Sequence, residues 1–63
     1  MKLEELEIGG WYFIDATALR VCLRKLKYVG KKYAIVELKN GEEEWVTLSM
    51  LLEFGGRAKD SEI

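Results

Sequence analysis

The strongest constraint on the fold is a pair of alternating apolar runs around Asn40-Gly41, within the sequence YAIVELKNGEEEWVTL of residues 33–48. Asn-Gly tolerates positive φ at low cost and is the strongest short-range signal for a β-hairpin. Residues two apart in a strand share a face of the sheet. One face therefore collects apolar side chains that we predict to form the core: Ala34, Val36, Leu38, Val46 and Leu48.

The opposite face of this hairpin is more apolar than a solvated surface requires, since it carries Tyr33, Ile35, Glu37, Trp45 and Thr47. The predicted core residues have even numbers in both strands. Two such residues can lie directly opposite each other only if the loop contains an odd number of residues. We therefore predict a three-residue loop, residues 39–41, with Gly41 in the left-handed conformation. In that register Ile35 lies opposite Trp45 and Tyr33 opposite Thr47. Either a second apolar layer or a partner should cover this surface.

The remaining elements are predicted to be short. Residues 3–8 form a lead-in turn, and residues 11–14 form an aromatic first strand after Gly9-Gly10. After a turn at residues 15–17, a long strand spans residues 19–29. The apolar residues of this strand fall on odd-numbered positions at first and on even-numbered positions later, where Leu26 and Tyr28 share one face. We therefore predict a β-bulge near Arg24-Lys25, which bends the strand. Residues 30–32 form the next turn.

The C-terminal part begins with a serine-capped stretch. We predict a single 3₁₀ turn at residues 49–52 and a short closing strand at residues 53–54. A chain of 63 residues has room for one domain, which we place at residues 1–54, with a flexible tail at residues 55–63. Short strands, tight turns and one bent strand predict an all-β fold, a small and strongly bent barrel of four to five antiparallel strands.

Two stretches resemble Tudor domains, which are SH3-like small β-barrels. The sequence NGEEEWVTLSMLLEF is similar to the end of such a domain, and Gly9-Gly10-Trp11-Tyr12 is similar to its opening. The resemblance spans about residues 8–54. It implies an SH3-like barrel that binds methylated lysine or arginine. Lys39 stands where the family usually has an aromatic residue before the turn.

The composition argues against catalysis, cofactors and metal binding. The chain has no histidine and one cysteine, which removes the commonest general base and leaves no zinc ligand set. No glycine-rich phosphate loop opens a helix. Cys22 cannot form an internal disulfide, and we expect it to be a small strand residue. With no signal peptide pattern and no apolar run long enough for a bilayer, we expect a cytoplasmic protein without membrane partners.

The first functional hypothesis is a binding module for a protein or peptide. Aromatic and acidic side chains on the second hairpin face suit a cationic side chain through cation–π and ion-pair contacts. The candidate residues are Trp45, Tyr33, Ile35, Glu37 and Glu43. The same residues suit a homodimer seam, because so short a chain buries only about 60% of its unfolded surface and gains from a second subunit.

The alternative hypothesis is nucleic-acid binding through a basic block. Between residues 20 and 39 the chain places basic side chains against the single acid Glu37, and the candidate phosphate contacts are Arg20, Arg24, Lys27, Lys31 and Lys32. Tyr28 or Trp11 would stack on bases. Against this hypothesis, the net charge of the chain is −1, so acids elsewhere would repel a nucleic-acid backbone.

Overall fold

The computed structural model describes residues 1–14 and 23–63, and these form one antiparallel five-stranded sheet in the order β4-β3-β2-β1-β5. A 3₁₀ turn, Leu3–Glu5, precedes the sheet, and another, Asp60–Glu62, follows it. The strands are Trp11–Phe13 (β1), Leu23–Val29 (β2), Tyr33–Glu37 (β3), Glu43–Thr47 (β4) and Gly56–Arg57 (β5), and the helix is Leu48–Phe54 (α1).

The expectation of a β-rich fold is confirmed, but the sheet is open. Within the described residues β4 and β5 are its two edges, so the predicted barrel is not closed. The strands β4 and β5 follow each other along the chain and are connected by α1. The strand β5 has only two residues with which to pair. Such a short edge strand offers few backbone N–H and C=O groups with which the sheet could close into a barrel.

The central hairpin has the predicted register. Ile35 pairs with Trp45 and Tyr33 with Thr47. Gly41 has a φ of 93°, and its backbone nitrogen donates to the Leu38 carbonyl at 3.0 Å. Leu38 in turn donates to the Glu42 carbonyl at 2.8 Å, which closes a loop of residues 39–41. The left-handed glycine therefore fixes the loop length and, through it, the two faces of the hairpin.

The bulge in β2 lies closer to the end of the strand than predicted. The pairing with β3 shifts between Leu26 and Tyr28, so the extra residue is Lys27 and not one of Arg24-Lys25. The predicted common face of Leu26 and Tyr28 is consequently wrong. Leu26 is fully buried, whereas Tyr28 is 57% exposed on the opposite face. Both Arg24-Lys25 and Lys27 are charged, so the sequence pattern did not show which of these positions holds the bulge.

The core lies on one face of the sheet, beneath α1. Its buried side chains are Tyr12, Leu26, Ala34, Val36, Leu48 and Leu51. Of the predicted core residues, Ala34, Val36 and Leu48 are buried, and Leu38 and Val46 are partly buried. Val46 belongs to the edge strand β4, which explains its remaining exposure, since no further strand of the described chain covers it.

The C-terminal region differs most from the prediction. A seven-residue α-helix, Leu48–Phe54, takes the place of the 3₁₀ turn at residues 49–52 and of the closing strand at residues 53–54. Leu48 and Leu51 lie three residues apart on its buried side, and this packing stabilises a helix that is too short to be stable alone. The helix ends where Gly55 donates to the Leu51 carbonyl at 2.9 Å.

The last strand lies beyond the predicted domain boundary. Gly56–Arg57 pairs with β1, and Ala58 is only 5% exposed, with its nitrogen donating to the Trp11 carbonyl at 2.9 Å. These residues lie in the segment 55–63 that was predicted to be a flexible tail. The flexibility of the last residues stays a prediction. The predicted turn at residues 15–17 and the predicted strand residues 19–22, with Cys22, lie outside the described residues.

Among residues 1–14 and 23–63, no helix has the length and apolar character needed to cross a membrane.

We expect Val36→Ala to destabilise the protein by about 1 to 3 kcal/mol, because it removes two methyl groups from a fully packed position and leaves a cavity. Val36 is 1% exposed. Val46→Ala should cost less, since Val46 is only partly buried. Urea denaturation of both variants measures the difference, and an equal or larger loss for Val46→Ala would contradict this description of the core.

We expect Gly41→Ala to destabilise the hairpin by about 1 to 2 kcal/mol, the cost of a side chain in the left-handed region. A methyl group at Gly41 would meet nothing within 4 Å, so strain alone is tested. Gly56→Ala is the matched control, because it also enters open space and its φ is not in the left-handed region. That variant should be neutral or slightly stabilising in thermal melts. Equal melting temperatures for both variants would rule out the left-handed turn.

Candidate functional site

Three neighbouring strands bring exposed aromatic and apolar side chains together on the outer face, the face opposite the core. Tyr28 of β2 pairs with Ile35 of β3, which pairs with Trp45 of β4, and Tyr33 lies two residues along β3. Trp45 is 70% exposed and Tyr33 is 50% exposed, while Ile35 is partly buried between its neighbours. We call Tyr28, Tyr33, Ile35 and Trp45 the aromatic patch.

The rings of Tyr33 and Trp45 contact each other across the two strands. Their centroids are 6.2 Å apart and their planes meet at 70°, an edge-to-face arrangement. This geometry is the favoured one for aromatic pairs and limits the rotamers of both side chains. Both rings remain at least half exposed in this arrangement, so the pair leaves aromatic surface accessible to a cationic or apolar group.

Acidic side chains border the aromatic patch. Glu37 and Glu43 are directly paired across β3 and β4, one step from Ile35 and Trp45 on the same face. Two like charges placed directly opposite each other destabilise a sheet. Glu37 is partly compensated by Lys27, whose Nζ lies 3.3 Å from Glu37 Oε2. Glu43 forms no ion pair with any residue that the structure describes, so it is available to an incoming cation.

The structure separates the residues of the predicted basic block. Arg24 lies at the start of β2, where its Nε contacts Glu44 Oε1 at 2.6 Å and its side chain is 20% exposed. Lys27 is the bulged residue paired with Glu37. Lys31 and Lys32 are exposed in the turn beyond the other end of β2. The remaining candidate, Arg20, lies outside the described residues.

A shallow groove of about 460 Å³ adjoins the aromatic patch, and sequence reasoning missed it. It lies between the end of β4 and α1, and its lining residues are Lys31, Lys32, Tyr33, Thr47, Leu48, Ser49 and Leu52. Tyr33 borders both the groove and the patch. The two lysines give the groove a positive rim, whereas Glu37 and Glu43 lie toward the opposite end of β3 and β4. Glu37 is paired across the strands with Lys25 and forms an ion pair with Lys27, so Glu43 is the less compensated of the two acids.

A second polar cluster joins the N-terminal segment to the sheet. Glu7 donates its backbone nitrogen to the Tyr12 hydroxyl at 2.8 Å, and Arg57 Nη1 donates to the same oxygen at 3.1 Å. The Tyr12 hydroxyl donates to the Glu5 carbonyl at 3.3 Å. The hydrogen bond from Arg57 to Glu7, followed by the influence of Tyr12, raises the pKa of the Arg57 guanidinium.

Arg57 also stacks over Tyr12, with Cζ 5.2 Å from the ring centroid. A side chain at Gly10 would approach Arg57, Glu7 and Tyr12 at 3.1 Å each, which explains why a glycine precedes β1. Every hydrogen-bonding capacity of the buried phenol is used within the fold. This cluster therefore stabilises the attachment of the N-terminal segment to the sheet.

The described part of the chain contains no group of three His, Cys, Asp or Glu side chains that could hold a metal ion. The chain matches no protein-family model, no curated protein and no solved structure.

We expect Trp45→Ser to lower the stability of the dilute protein by less than about 1.5 kcal/mol, because the change removes an exposed aromatic contact and not a core side chain. Its effect should be smaller than that of Val36→Ala. Chemical denaturation at low micromolar concentration gives both values. If Trp45→Ser unfolds the dilute protein, Trp45 supports the core and the aromatic patch is not a free surface.

Proposed function

We propose that this chain is a non-catalytic binding module that recognises a protein or peptide through its aromatic patch and the adjacent acids Glu37 and Glu43. The observation that carries the proposal is the exposed Tyr33–Trp45 pair beside Glu43. An aromatic surface of this kind attracts cations, and a neighbouring carboxylate adds an ion pair. Contacts of this type contribute about 0.5 to 1 kcal/mol each at exposed sites.

The proposed ligand is a peptide with a basic side chain. A lysine or arginine above the Trp45 ring would lie near Glu43, and its positive charge would reduce the repulsion between Glu43 and Glu37. Binding would therefore relieve an unfavourable interaction present in the free protein. The resemblance to Tudor domains supports methylated lysine or arginine as the specific form, because methylation keeps the charge and adds apolar contact with aromatic rings.

The corresponding fold proposal is an SH3-like, Tudor-like barrel. The strand order, with β5 beside β1 and a short helix between β4 and β5, supports this assignment. The bulge at Lys27 supports it further, because bulges bend strands at the corners of small barrels.

Nucleic-acid binding remains the second candidate, now centred on Lys31 and Lys32. They line the groove beside Tyr33, so a phosphate and a stacked base would have adjacent contacts. Arg24 and Lys27 contribute less to this candidate than expected from the sequence, because each is paired with an acid. A charge already neutralised by a neighbour adds little to phosphate attraction.

We test the proposed function with a matched set of short extended peptides that differ at one central residue: lysine, trimethyllysine or the uncharged isostere norleucine. Two-dimensional NMR of the full chain at low salt should show shifts centred on Trp45, Tyr33 and Glu43 for the two cationic peptides. Affinity should fall by about tenfold with norleucine, as expected for the loss of cation–π and ion-pair contacts.

Trp45→Ala should weaken cationic peptide binding by about tenfold or more, the usual loss for an interface anchor. Phe54→Ala is the control, since Phe54 is an exposed aromatic on α1, outside the aromatic patch. A mixed-sequence single-stranded oligonucleotide provides the other arm. Shifts at Lys31 and Lys32 with the oligonucleotide, and none with any peptide, would replace the proposed function by nucleic-acid binding.

A further inference from the structure

Among residues 1–14 and 23–63, the strand β4 forms one edge of the sheet. It pairs with β3 on one side, and on the other side no strand of the described chain hydrogen-bonds to it. Four of its five residues are exposed, and Val46 is partly buried. An edge of this length with a tryptophan at its centre is a template for pairing with another strand.

The hydrogen bonds of the hairpin determine which backbone groups point outward from this edge. The Glu42 carbonyl and the Leu48 nitrogen both bond toward β3 and the turn before it. Since these directions alternate along an antiparallel strand, Glu44 and Val46 also point inward. The N–H and C=O groups of Glu43 and Trp45, and the N–H of Thr47, therefore point away from the sheet. The Thr47 carbonyl is the first acceptor of α1, because Thr47 is the N-cap of that helix.

We propose that this edge pairs with the β4 strand of a second copy of this chain, antiparallel and about a two-fold axis at Trp45. In that register Trp45 faces its own equivalent as a hydrogen-bonded pair, and Glu43 faces Thr47 of the second copy. The N–H and C=O of Trp45 then bond to their equivalents, and the Thr47 N–H donates to the Glu43 carbonyl of the second copy. No acid lies directly opposite another acid across the new interface.

Charge complementarity favours a second copy as the occupant. The acidic beginning of β4 lies opposite the end of the second copy's β4. At that end, the turn that carries Lys31 and Lys32 is held to α1, because the Leu48 nitrogen donates to the Lys32 carbonyl at 2.8 Å. Glu43 thus lies near Lys31 and Lys32 of the second copy, and the two-fold axis produces the same attraction at the other end of the interface. A parallel pairing would instead place Glu43 beside Glu43 of the second copy.

The pairing also joins the two aromatic patches. Both Trp45 side chains lie on the same face of the continuous sheet, because directly opposed residues share a face. The indoles gain contact area that each lacks in the single chain, where Trp45 is 70% exposed. The dimer shares the Trp45 and Glu43 side chains with the proposed peptide recognition, but its backbone hydrogen bonds come from the edge of β4. A substitution that acts on those backbone groups alone therefore tests the dimer separately.

The decisive variant is Thr47→Pro. Thr47 has φ −72° and ψ 136°, which proline adopts without strain, and its side chain makes no capping hydrogen bond to α1. Its N–H points outward, so proline removes no bond within the hairpin. It does remove the donor facing Glu43 of the second copy and places its ring against the incoming strand. Thr47→Val is the matched control, because it keeps the N–H and the side-chain shape.

The measurement is sedimentation velocity of the full chain from about 1 µM to 1 mM, which covers the weak association expected of an interface at the small end of the specific range. Wild type and Thr47→Val should show increasing dimer with concentration. Thr47→Pro should weaken association by at least about tenfold, with an unchanged or higher melting temperature at low concentration. A wild type that stays monomeric, or a Thr47→Pro variant that dimerises equally well, overturns the proposal.

Charge reversal tests the register. Glu43→Lys should weaken the dimer, as should the joint change of Lys31→Glu and Lys32→Glu, and combining all three should restore much of the lost association. If the combined variant is weaker than either parent, the acidic end of β4 does not face the basic turn and the proposed register is wrong.

Discussion

The left-handed conformation of Gly41 is the constraint on which the arrangement of the sheet depends. A glycine at φ 93° closes a loop of residues 39–41, and this loop length fixes the pairing of β3 with β4. Because side chains alternate with a period of two, a slip by one residue would exchange the core for the outer face. The burial of Val36 and the exposure of Trp45 are thus consequences of one backbone torsion.

Sequence reasoning succeeded where the signals were local. The hairpin, its register and its two faces followed from Asn40-Gly41 and the alternation around it. The bulge of β2 was also foreseen, but it occurs at Lys27. A bulge position is selected by pairing with the neighbouring strand, and that pairing is not encoded by the residues of β2 alone. The error placed Tyr28 on the same face as Leu26, and Tyr28 was therefore missing from the predicted aromatic surface.

The C-terminal elements were missed because their stability comes from distant contacts. The helix α1 is short, and it forms where Leu48 and Leu51 can enter a core supplied by the sheet. The strand β5 contains Gly56 and Arg57, and neither favours a strand intrinsically. Its pairing with β1 and the contact of Arg57 with Tyr12 join residues 45 positions apart. The local sequence pattern carries no information about contacts between residues so far apart in the chain.

The different environments of the two tryptophans give the protein a built-in optical label. Trp45 is largely in water beside Glu43, whereas Trp11 is partly buried in β1. A collisional quencher must reach the indole, and a neighbouring carboxylate attracts a cation and repels an anion. The ratio of caesium quenching to iodide quenching should therefore be higher for the red-shifted emission of Trp45 than for the emission of Trp11, whose partner in β2 is Lys25. This difference lets the intrinsic fluorescence of the unmodified chain report on the edge of its sheet.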